Sequence, residues 1–139
     1  MSEMVLIVLG AALLLGMMLL IPLSRTHGKK RAHIDKAFVR QKWDEIVAIG
    51  AKPDQSARFA VIEADKLLDY TLKKRGYSGE TMGERLKNAN KDFSYIDDVW
   101  TAHKLRNKLV HEAQYEIDRR NISRALSQFE KALKDMGAL

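Results

Sequence analysis

The chain has 139 residues, room for one domain, and carries a net charge of +6 with no cysteine. That excludes a disulfide framework, a thiolate metal site and a thiol nucleophile, and it suits a reducing compartment. The charge is uneven. Arg25, Lys29, Lys30 and Arg31 cluster early; setting them and Glu3 aside leaves 20 Lys/Arg against 17 Asp/Glu, a balance of +3. A modest basic balance permits an anionic partner without requiring one.

Met4 to Leu23 is a run of 20 residues without a charge, long enough to cross a bilayer as a helix. A cleaved signal peptide needs basic residues before its apolar run, whereas Met1-Ser2-Glu3 is short and acidic. The basic cluster follows the run, so the positive-inside rule expects a single-pass anchor in the inner (cytoplasmic) membrane, with the C-terminal domain cytoplasmic. The expected organisation is an anchor over 1–23, a basic juxtamembrane linker over 24–32 that can also touch anionic lipid headgroups, and a helical domain over 33–139. Ala12 and Gly16 have the small-xxx-small spacing that lets two such helices approach.

In the domain, Ile34, Phe38, Trp43, Ile46, Val47 and Ile49 predict a first helix ending at Gly50 and Pro53. Asp54 caps a second helix running to Arg75 and stopping at Gly76. Its inward stripe is Ala57, Ala60, Val61, Ala64, Leu68, Thr71 and Leu72, with Phe59, Ile62 and Tyr70 on another face. Asp65, at the stripe's border, is placed to pair with an inward cation such as Arg106. Thr81-Met82-Gly83-Glu84 has capping-box spacing and opens a short helix. Ser94 is expected to cap a long helix through His111, and Asp118 or Asn121 a last helix with Ile122, Ala125, Leu126, Phe129, Leu133 and Met136 inward, closed by Gly137. Strand signals are absent. The expected fold is all-α: a transmembrane helix followed by a four- to five-helix antiparallel bundle.

The long helix carries an anomaly. At 100° per residue, Ile96, Val99, Trp100 and Val110 gather on one side, and Asp97, Thr101, Lys104 and Lys108 on the other. His103, Arg106 and Asn107 fall inside the apolar arc, with His111 at its edge. An inward guanidinium without a partner costs several kcal/mol or more, on the order of any buried charge. Either the fold supplies partners, as a buried polar network, or this face opens onto a site.

The stretch Arg106-Asn107-Lys108-Leu109-Val110-His111, near the end of the penultimate helix, resembles the signature of the HEPN superfamily, Arg-x(4–6)-His with Asn after the Arg, and its toxin-type members in particular. The resemblance covers roughly Gln55 to Met136. It implies a metal-independent endoribonuclease acting as a homodimer without cofactor, with Arg106, Asn107 and His111 of two copies across a cleft, leaving 2′,3′-cyclic phosphate ends on RNA. Such members commonly carry Tyr two residues after the His; here that position is Ala113, and Tyr115 is the nearest tyrosine. Non-catalytic relatives that dimerise or bind nucleotides or partners make a binding module at the membrane the alternative.

The residue types fit that chemistry independently. Histidine titrates near neutrality and suits proton transfer; a permanently charged guanidinium suits a crowded phosphorane. Arg106 and His111 lie only ~7.5 Å apart along the axis but about 140° around it. They therefore converge poorly within one copy, which a composite site remedies. Lys104 and Lys108 are placed to track an RNA backbone. His103 and Asp65 are secondary candidates, and no metal is expected.

Overall fold

The computed structural model describes residues 32–112 and 114–139. Contacts divide the chain into residues 1–30 and Arg31–Leu139, and the second unit is the one described. The apolar run Met4–Leu23, the pair Ala12 and Gly16, and the basic cluster up to Arg31 lie outside the described residues. Among the described residues no helix is long and apolar enough to cross a membrane.

Those residues form an all-helical bundle without strands: α1 (Lys36–Gly50), α2 (Arg58–Arg75), α3 (Met82–Asn88), α4 (Ile96–His111) and α5 (Arg119–Asp135). Short 3-10 turns at Gln55–Ala57 and Asn90–Asp92 lead out of the connections. The central helix is α2, which packs against each of the others. Its sequence explains this position. Ala60, Val61, Ala64, Leu68, Thr71 and Leu72 are all fully buried, and the small residues let neighbouring helices approach closely. Thr71 avoids an orphaned hydroxyl by donating to the Leu67 carbonyl at 2.9 Å. The off-stripe residues are not buried: Phe59 is 55% exposed, and Ile62 and Tyr70 are half-buried.

Side-chain caps set most of the starts. Asp35 accepts from the Phe38 amide at 3.0 Å; Asp54 accepts from Ser56 at 2.8 Å but caps the 3-10 turn Gln55–Ala57, and α2 itself starts after Ala57 with no side-chain cap. Asp118, the first of the two expected starts, accepts from Asn121 at 2.7 Å. Thr81 accepts from Glu84 N–H at 3.2 Å, but the Glu84 carboxylate reaches back to Glu80 N–H at 2.6 Å, so only half of the capping box forms. Ser94 does not cap α4. Both its N–H and its hydroxyl go to Asp135, at 2.8 and 3.0 Å, tying the entry of α4 to the end of α5. Asp97 and Asp98 in the first turn complement the uncapped N-terminus instead.

Three expected inward residues differ. Phe38, Val47 and Val110 are 38%, 46% and 46% exposed. In α1 the buried row is Val39, Trp43 and Ile46, and Phe38 lies against Tyr70 with ring centroids 5.4 Å apart. In α4, Leu109 is buried in place of Val110. In α5 the expected row is buried except Leu126, which is half-buried.

Two helix ends lock together. Gly76 (φ 85°) and Gly137 (φ 64°) both take the left-handed conformation. Each is followed by the paired amide-to-carbonyl bonds of a Schellman ending, Tyr77 to Leu72 at 3.1 Å and Ala138 to Leu133 at 2.9 Å. Arg75, the last residue of α2, donates its Nε–H to the Met136 carbonyl at 2.9 Å. Gly76→Ala is expected to cost about 1 kcal/mol, the penalty of a Cβ in this conformation. Gly137→Ala should cost more, since the added Cβ would sit 2.9 Å from the Arg75 guanidinium. Urea melts of the two variants check this, and a neutral Gly76→Ala would contradict it.

Candidate functional site

The site is built on the face where α4 meets α2. Val99, Ala102, His103, Arg106 and Leu109 follow helical spacing, so a polar pair sits among apolar neighbours. Val99, Ala102, His103 and Leu109 are buried, while Arg106 and Asn107 are half-buried. Opposite them α2 presents Asp65, only 2% exposed. A carboxylate at that depth must be matched, and α4 supplies the match. His103 Nδ1 lies 2.7 Å from one Asp65 oxygen, and Arg106 Nε lies 3.3 Å from the other.

The contacts close into a ring of four residues. With its proton on Nδ1, His103 donates to Asp65, and its Nε2 accepts from the Asn107 amide at 3.4 Å. The Asn107 oxygen accepts from Arg106 Nη1 at 3.0 Å. The Arg106 Nε–H makes no well-aligned hydrogen bond, so its link to Asp65 is one of charge. Trp100 packs edge-on against the imidazole, with ring centroids 5.8 Å apart. His103, a secondary candidate by sequence, therefore sits at the centre, and Asp65 meets Arg106 as anticipated while lying deeper than a border residue.

Beside this ring lies an open cleft of about 450 Å³, lined by Asp65, Arg106, Asn107, Arg85 and the Thr81–Gly83 start of α3. Arg85, only 6% exposed, fixes its far wall. It forks onto Asp69 through Nε at 2.6 Å and Nη2 at 3.2 Å, and Nη1 donates to the Gly79 carbonyl. Lys73 adds a third contact to Asp69 at 2.8 Å. Burial pushes the Asp69 pKa up, but the hydrogen bonds from Arg85 and then Lys73 outweigh it and hold the carboxyl below its ordinary value. Sequence reasoning missed Arg85 and Asp69. The available signal was that Asp69 follows Asp65 by one turn of α2 and so shares its face.

The motif is thus split. Arg106 and Asn107 face the cleft, whereas His111, the last residue of α4, is exposed and not part of the cleft lining. Its turn is held by Arg58, whose Nη2 donates to the Leu109 carbonyl at 2.6 Å. Lys104 and Lys108 are exposed and line a different surface, against α5. Among the described residues no group of three or more His, Asp or Glu is placed to hold a metal ion. Ala113 lies outside the described residues.

Asp65→Ala should destabilise the domain by about 3 kcal/mol, because it strands an inward guanidinium; an unchanged denaturant midpoint would remove the ring's structural importance. Asp69→Asn tests the far wall. A depressed carboxylate stabilises fully above its unfolded pKa and loses that contribution as pH falls through the folded value. The difference in melting temperature from wild type should therefore be largest at neutral pH and begin to shrink only as pH falls below about 4, toward the depressed folded value.

No protein-family model matches the chain, and neither a characterised protein nor a solved structure matches it.

Proposed function

We propose that the chain is a membrane-tethered HEPN-like domain that cuts RNA without a metal, at a site shared by two copies. Met4–Leu23 holds it in the cytoplasmic membrane, with the bundle in the cytoplasm. The observation that carries this reading is the Arg106 guanidinium, fixed on one side by the buried Asp65 and Asn107 and open on the other to the cleft. A preoriented cation beside an amide can receive the non-bridging oxygens of a phosphate without reorganising.

In this reading an imidazole removes the ribose 2′-OH proton, the 2′-oxygen attacks phosphorus, and the P–O5′ bond breaks. The leaving oxygen takes a proton from a second imidazole, giving a 2′,3′-cyclic phosphate and a 5′-hydroxyl. His111 is the exposed imidazole of the motif. Because it lies about 140° around α4 from Arg106, the two groups meet on one phosphate only when contributed by different copies.

A second reading is favoured by the closed ring itself. Asp65, His103, Asn107 and Arg106 satisfy much of one another's polarity without a substrate, as a non-catalytic dimerisation, nucleotide- or partner-binding module would require.

The full-length chain in neutral detergent, given RNA in excess EDTA, should release cyclic-phosphate ends. Arg106→Ala or His111→Ala should each lower the rate by about 100-fold or more and relieve any growth defect on overexpression. A verified dimer that leaves RNA intact would favour the binding module.

A further inference from the structure

The side of α4 turned away from the cleft carries a second concave surface, a groove of about 300 Å³ against α5. Leu105 and the buried Ala125 contribute apolar surface, and the exposed Lys104, Lys108 and Arg124 contribute charge. Among the described residues no carboxylate lines it. The nearby Asp98 carboxylate accepts from the Gln128 amide at 3.2 Å. Four lysines of the domain, Lys42, Lys66, Lys73 and Lys134, each meet an acid about one turn away. Lys104, Lys108 and Arg124 have no ion pair among the described residues. Like charges one turn apart oppose helix formation, so this cluster is maintained against a local cost.

Tyr115 also lines the groove, with Lys108 Nζ 5.8 Å from the ring centre. Unpaired cations, an apolar floor and an aromatic face are what a single strand needs, with phosphates on the cations and a base on the ring. Lys104 and Lys108 rise about 6 Å apart along the axis, comparable with neighbouring phosphates. Positions 104, 108 and 111 span only about 60° of the helix surface at 100° per residue, so His111 continues the same row. A bilayer surface presents a plane and reaches protruding cations rather than a concave floor, which favours a strand over lipid.

We propose that the groove between α4 and α5 is the track for single-stranded RNA, with Lys104, Lys108 and Arg124 on successive phosphates and Tyr115 under a base, delivering the strand to His111. Only the delivery to His111 rests on the nuclease reading; the binding track does not.

The test uses the full-length chain in neutral detergent and a fluorescein-labelled, 2′-O-methyl single strand that cannot be cut, followed by anisotropy at several salt concentrations. Combined Lys104→Gln, Lys108→Gln and Arg124→Gln should weaken binding about tenfold or more and reduce the logarithmic salt slope by about 2, near 0.7 per lost phosphate contact. Tyr115→Ala should weaken binding with the slope unchanged. Wild-type affinity in the triple variant, or no binding at low salt, overturns the proposal. So does a short-chain phosphatidylglycerol that binds wild type but not the triple variant while RNA binds neither. Groove-dependent binding without cutting of unmodified RNA supports the track and removes the nuclease reading. Full cutting by the triple variant removes the track alone.

Discussion

The structure depends on how one buried carboxylate is matched. Asp65 sits on the central helix at 2% exposure, a depth at which an unmatched charge would cost several kcal/mol, on the order of a small domain's whole stability. Its two oxygens face two cationic or polar groups one turn apart on α4, His103 and Arg106. That arrangement fixes α4 against α2 both along its axis and in rotation, since sliding or turning either helix by one residue would break both contacts. The apolar contacts around it, Val99, Ala102 and Leu109, are less particular and would tolerate neighbouring registers.

The same constraint gives α4 two unlike polar sides. Toward α2 and α3, the two guanidiniums that line the cleft are balanced: Arg106 by Asp65, Arg85 by Asp69. Toward α5, Lys104, Lys108 and Arg124 are left uncompensated. On that flank the three cations share a groove with an apolar floor and the Tyr115 ring.

How much of this was legible in the sequence depends on whether neighbouring residues differed in kind. The α2 stripe could be read because apolar and polar positions separate cleanly there, and the Gly76 and Gly137 endings because glycine is the residue that takes the left-handed conformation, while the start of α5 was narrowed only to Asp118 or Asn121. Phe38 beside Val39 and Leu109 beside Val110 could not be ordered, since either member of each pair is apolar and packing chose between them. Ser94 was misassigned because a distant acid, Asp135, outcompetes the local backbone for its hydroxyl. The inward polar group of α4 was visible as an anomaly, and Asp65 as a partner for Arg106. That His103 would take the deeper position, and that Arg85 and Asp69 would build the opposite wall, depended on contacts across the loop after Gly76, which periodicity does not carry.

The bond from Arg75 to the Met136 carbonyl joins residues 61 positions apart. The other end of α5 reaches as far, Arg119 donating to the Ala51 and Lys52 carbonyls at 3.0 and 2.8 Å across 68 and 67 positions, whereas α1 and α3 join α2 through short connections. The entropy of closing so long an excursion has to be met before α5 contributes any of its buried side chains. The seating of α5, rather than the winding of any helix, is therefore where the closure entropy of the domain is concentrated.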